Sequence, residues 1–144
     1  MSSSDLPALE KAQYEALSEF RYQLRRFLRF SEEAARTEGL TPLQYQLLLH
    51  VRGFPGRDWA TVGELSERLQ TQHHGVVALL TRCEELKLVQ RRRSDADRRQ
   101  VEVHLTAKGE RQLGKLAALH EAELRSLQKT FRVAKITAFN DEDR

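Results

Sequence analysis

Val76-Val77-Ala78-Leu79-Leu80-Thr81-Arg82-Cys83-Glu84-Glu85-Leu86-Lys87-Leu88-Val89-Gln90-Arg91-Arg92-Arg93, continuing through Ser94-Asp95-Ala96-Asp97-Arg98-Arg99-Gln100-Val101-Glu102-Val103-His104-Leu105-Thr106, is the stretch whose periodicities decide the fold. At its start Val76, Leu79, Leu80, Cys83 and Leu86 recur at three- and four-residue intervals, which puts them on one face of a helix. At its end Val101, Val103 and Leu105 alternate with Gln100, Glu102 and His104, the two-residue period of a half-buried strand. Leu88 to Arg93 is then the partner strand, and Ser94-Asp95-Ala96-Asp97 the polar tip of a hairpin.

Upstream, Thr61-Val62-Gly63-Glu64 has the spacing of a capping box: a threonine that accepts from the third amide of a helix and a glutamate that reaches back. It opens a short helix with Val62, Leu65 and Leu69 inward, and the polar run Thr71-Gln72-His73-His74 separates that helix from the one beginning near Val76. Two short helices on a tight connection make a helix-turn-helix. Further back, Thr41-Pro42-Leu43-Gln44 is a second helix start, leading through Leu47, Leu48 and Val51 until Gly53, Pro55 and Gly56 break the pattern. The residues from there to Ala60, including Trp59, are expected to form a loop.

Both ends predict long amphipathic helices, over about residues 9–37 and 107–137. The first carries Leu17, Phe20, Leu24, Phe27 and Phe30 or Ser31 at helical spacing and ends at Gly39. The second, capped by Thr106, carries Leu113, Leu116, Ala117, His120, Leu124, Leu127 and Phe131. These stripes hold more apolar surface than the small domain between them can cover, so a second copy of the chain is expected to bury the excess. Leu17, Phe20, Leu116, Leu124, Leu127 and Phe131 are the expected dimer contacts.

Composition bounds the function. The 144 residues fit one domain, 1–144, and 24 Lys plus Arg against 21 Asp plus Glu leave a net charge of +3. That charge is concentrated: Lys87, Arg91, Arg92, Arg93, Arg98 and Arg99 face only Asp95 and Asp97, the footprint of a polyanionic partner. A single cysteine, Cys83, excludes an intrachain disulfide and any cysteine-rich zinc site, and its place in an apolar stripe makes it a packing residue. With no signal-like start and no apolar run near the roughly 18 residues of a membrane span, the expected location is cytoplasmic, away from membranes. No nucleophile–base arrangement, glycine-rich phosphate loop or histidine-rich metal spacing is present, so no catalytic residue, metal or cofactor is expected.

Opposite the buried direction of the Val76–Leu86 helix lie His74, Ala78 and Thr81, with Val77 at the edge: a small, uncharged face. Such a face can enter a DNA major groove, with His74 and Thr81 meeting base edges and Val77 or Ala78 a thymine methyl. Gln72 and His73, at the helix start, can turn to bases or phosphates. Arg98 and Arg99, held on a two-stranded ribbon, suit a narrow minor groove, with Asp97 orienting them. Arg82, Arg91, Arg92 and Arg93 are placed to meet phosphates.

The run from Val76 to Val89, then Arg91-Arg92, then Asp97-Arg98-Arg99 with the alternating strand and Leu105-Thr106-Ala107-Lys108-Gly109, resembles the MarR (multiple antibiotic resistance regulator) family. The resemblance implies a mainly α fold with a small β-hairpin wing (α+β): a winged helix-turn-helix over about residues 41–105, flanked by dimerisation helices. It also implies double-stranded DNA as partner, a homodimer on a palindromic operator, the wing roles given to Asp97, Arg98 and Arg99, and a small aromatic or anionic effector. The candidate lining for that effector is Phe27, Phe30, Tyr45 and Trp59. Two positions depart from the family: His74-Gly75-Val76-Val77-Ala78 stands where relatives carry Ser-Thr-x-Thr-Arg, and Lys87 stands where glycine is usual. The rival reading of the same pattern is a winged-helix protein-interaction module that does not bind DNA.

Overall fold

The computed structural model describes residues 6–131, with side chains for 6–125. The elements run α1 (Lys11–Thr37), α2 (Pro42–Arg52), β1 (Trp59–Thr61), α3 (Val62–Leu69), α4 (His73–Glu85), β2 (Val89–Arg93), β3 (Val101–Leu105) and α5 (Ala107–Phe131). They fall into two compact units, one drawn from Met1–Phe30 and Glu121–Arg144, the other Ser31–His120.

The second unit is built on local signals the sequence displays. Thr41 caps α2 and Thr61 caps α3, each hydroxyl accepting an amide N–H while Gln44 or Glu64 accepts from the cap's own N–H. Glu64 also takes the guanidinium of Arg57, which lies 4.3 Å from the Phe54 ring and 3.9 Å from the Trp59 ring, so the loop after α2 is tied to the start of α3. Leu47, Leu48, Leu65, Val76, Leu80, Leu88, Val103 and Leu116 fill the core under these elements.

The wing is larger than the expected hairpin. Residues 59–61, with Trp59 and Ala60 expected as loop, form a third strand, and the sheet order is β1-β3-β2, all antiparallel, with Trp59 opposite His104 and Ala60 opposite Val103. A three-residue strand is too short to show a period; what holds it is the fully buried Ala60 beneath Val103. α4 begins at His73 with Gln72 as its N-cap, so Gln72 and His73 stand at the helix start as expected, ahead of the apolar period that opens at Val76; no side-chain bond from Gln72 closes the cap.

α3 and α4 both end in residues with left-handed backbone, Gln70 (φ 52) and Lys87 (φ 62). Around Lys87 its N–H donates to Glu84 O (2.9 Å) and that of Leu88 to Cys83 O (2.9 Å), the paired bonds of a Schellman ending. A side chain in this conformation is strained by roughly 1 kcal/mol relative to glycine. Lys87→Gly is therefore expected to raise the urea midpoint, by about 1 kcal/mol in stability, with the slope unchanged; a lower midpoint would show that the Lys87 side chain contributes more than its backbone costs.

α1 and α5 each divide between the units. In the second unit the α5 stripe turns inward: Leu113 and Leu116 are buried, and His120 is buried with its Nδ1 2.7 Å from Leu116 O and its Nε2 2.7 Å from Ser31 Oγ. Leu116, expected at a dimer interface, is thus fully enclosed within one chain and offers no surface to another. In the first unit α1 buries Gln13, Ala16 and Gln23, whereas Tyr14, Leu17, Phe20 and Leu28 stay exposed, as does Leu124 of α5. The side chains of Leu127 and Phe131, and the expected extension of α5 to 137, lie outside the described residues.

Candidate nucleic-acid interface

α4 keeps Val76, Leu80 and Cys83 fully buried, which fixes its rotation and turns His74, Ala78, Thr81 and Arg82 to solvent with Gly75 and Val77 half-covered. Gln72 and His73 are exposed at its start. Burial pushes the Cys83 thiol up to about 11, so the residue is an inert part of the packing.

The face does not present every expected group freely. Thr81 Oγ1 donates to Val77 O (3.0 Å) and accepts from Arg91 Nη2 (3.3 Å), while Arg91 Nε pairs with Glu84. The hydroxyl expected to meet a base edge and the guanidinium expected to meet a phosphate are bound to each other. Arg82 lies 3.5 Å from Glu85 and stays largely exposed, Arg92 donates to Gln90 Oε1 (3.2 Å), and Arg93 is exposed.

The wing tip is folded by a residue the sequence reading passed over. Ser94 is buried, its Oγ accepting from the N–H groups of Ala96 and Asp97 (3.2 Å each), and its own N–H donates to Gln100 O (3.1 Å). A serine followed closely by Asp is the available signal for such a turn. Asp97 Oδ1 then accepts from both the backbone N–H (3.0 Å) and Nε (3.3 Å) of Arg99, so Asp97 orients Arg99, which remains 92% exposed. Arg98 is exposed beside it.

Between these parts lies a cleft of about 460 Å³, lined by Thr61, Val62 and Gly63 at the start of α3, His73 and Val77 of α4, and Arg91, Arg99, Gln100 and Val101 of the wing. The four aromatics suggested for an effector are not gathered in it. Tyr45 is buried and stacked on His120 with ring centroids 4.4 Å apart; Trp59 lies beside His104 (6.2 Å) and Arg57; Phe27 and Phe30 belong to the first unit. Among the described residues there is no group of three or more His, Cys, Asp or Glu side chains able to hold a metal, and no helix long and apolar enough to cross a membrane.

A model of the MarR family matches residues 38–100, the stretch from the α1–α2 turn to the wing tip. The HTH-type transcriptional regulator YsmB of Bacillus subtilis (strain 168), itself uncharacterized, is 30% identical over 92 residues, which is 60% of this chain and 63% of that protein. The chain thus spans under two thirds of the curated relative's length. Among solved structures, AbsC, a MarR family transcriptional regulator from Streptomyces coelicolor, superposes with a TM-score of 0.73 at 21% identity, covering 96% of this chain and 93% of that one. The F27L mutant of MepR from S. aureus bound to an oligodeoxyribonucleotide gives 0.63 at 19% identity, covering 90% and 91%.

Proposed function

We propose that this chain, which shares the winged helix-turn-helix fold and whose residues 38–100 match a model of the MarR family, is a transcription regulator of that kind that binds duplex DNA as a homodimer and acts as a repressor on a palindromic operator. The observation that carries this reading is the shared placement of two complementary readers in one compact unit. The exposed face of α4, polar at His74 and small at Ala78 with Arg82 further along, fits a major groove, and the pre-folded, arginine-tipped wing fits the flanking minor groove. The similar MepR mutant bound to an oligodeoxyribonucleotide supports it. A two-fold dimer would set two α4 helices about 34 Å apart on one side of the duplex, which is why the site would be palindromic. Release by a small aromatic or anionic effector belongs to the same reading. Its support is the cleft, where Val62, Val77 and Val101 offer apolar wall and the largely exposed Arg99 offers positive charge.

Two substitutions test the assignment of roles. His74→Ala should weaken binding to a duplex selected from a random pool by about 1–3 kcal/mol and binding to a scrambled duplex far less. Arg92→Ala should weaken both alike and lower the slope of log affinity against log salt by about one per half-site. Equal effects of the two on both duplexes would contradict base reading by α4.

A further inference from the structure

We infer that Arg91 is a positioning residue which, with Glu84 and Thr81, locks the wing to the recognition helix and sets their separation. This rests on the DNA-binding reading. Thr81 and Glu84 are three residues apart on α4 and so share a face, and Arg91 reaches both from β2 across the turn that holds Lys87. The contact uses the edge of the guanidinium: Nε on the Glu84 carboxylate and Nη2 on the Thr81 hydroxyl. Two donors fixed in one plane suit two acceptors on adjacent helical turns, and a lysine, with one ammonium at the end of a flexible stem, cannot reproduce them. The Thr81 proton is committed to Val77 O, so the hydroxyl faces Arg91 as an acceptor.

The chain has a reason to need such a lock. The turn between α4 and β2 contains a lysine in left-handed conformation, so its geometry is not held by the preference of its own residue. The exposed α4 face and Arg98–Arg99 must meet two grooves at once, and a shift of either element misaligns one set of contacts. Arg91 is thereby taken from the phosphate-contacting arginines and Thr81 from the base readers.

The test compares Arg91→Lys, Glu84→Gln and the double variant in the full chain. The readouts are the ratio of affinities for the selected and scrambled duplexes, and the salt slope. Any change in the folded fraction multiplies both affinities and cancels in the ratio. The lock predicts that each single variant lowers the ratio about tenfold or more, that the double variant is little worse than either, and that the salt slope is unchanged. A phosphate contact restrained by Glu84 predicts the opposite: Arg91→Lys close to the parent chain, because lysine serves a phosphate well, and Glu84→Gln tighter on both duplexes. That pattern would overturn the inference. If the parent chain selects no duplex, the DNA reading fails by itself, and urea unfolding still decides on the lock: coupled losses for the two substitutions support it and additive losses overturn it.

Discussion

Gly109→Ala is expected to cost about 3 kcal/mol or more in stability, near the top of the range for adding one methyl group. Gly109 sits in the first turn of α5, its N–H donating to Thr106 Oγ1 (3.0 Å), and a Cβ there would stand 2.1 Å from the backbone oxygen of Leu88. That oxygen already accepts from Thr106 N (3.0 Å), Thr106 Oγ1 donates to Lys87 O (2.6 Å), and Lys108 Nζ donates to Leu86 O (2.8 Å). The clash is with backbone pinned by three bonds, so α5 would have to lift from the α4–β2 turn and uncover Leu88. Gly114, five residues further along the same helix, has open space where a Cβ would stand. Gly114→Ala should therefore stabilise the chain by up to about 1 kcal/mol through helix propensity alone. Urea unfolding of the pair is the measurement, and a Gly109→Ala midpoint matching the parent would mean that α5 does not start against this turn.

The second large effect concerns assembly. Tyr14, Leu17, Phe20, Leu24 and Leu28 recur along α1 at three- and four-residue steps, and four of the five are exposed large apolar side chains, as is Leu124 on α5. A soluble monomer seldom leaves so continuous an apolar stripe in water, and a second copy is the simplest cover for it. The chain is expected to sediment as a dimer at micromolar concentration, and Leu17→Asp with Leu124→Asp as a monomer. Neither residue belongs to the core of the second unit, so that core should remain folded. Loss of two-site attachment should then reduce affinity for a palindromic duplex by roughly 10²- to 10⁴-fold, with little change for a single half-site. An unaltered sedimentation coefficient in the double variant would place the interface elsewhere.

The contrast between what could and could not be read from the chain has a physical origin. The starts of α2 and α3 were legible because a capping box is a bond between residues three apart, written into Thr41–Gln44 and Thr61–Glu64. The end of α1 was legible because its left-handed turn falls on Gly39 (φ 75); the same turn at Gln70 and Lys87 carries no such mark. The strand at 59–61 is made by its partner β3, more than 40 positions away, and no local pattern announces it. The α5 stripe gave the apolar face but not what covers it, so Leu116 in the core and Leu124 at the surface read alike. In the candidate interface the exposed face of α4 followed from the burial of Val76, Leu80 and Cys83. The engagement of Thr81 with Arg91 did not, because it depends on how the turn at Leu86, Lys87 and Leu88 folds β2 back on α4 rather than on either residue's type.

The most direct test of DNA recognition by this unit is an equilibrium titration of the full chain against a duplex chosen from a random pool and its scrambled counterpart, across salt. The expected result is tight, preferential binding to the chosen duplex, with affinity for it falling linearly in log–log form by about 10³-fold or more between roughly 50 and 200 mM salt. Absence of measurable binding to either duplex at the lowest salt would contradict it, and would leave the winged helix as a surface for another protein.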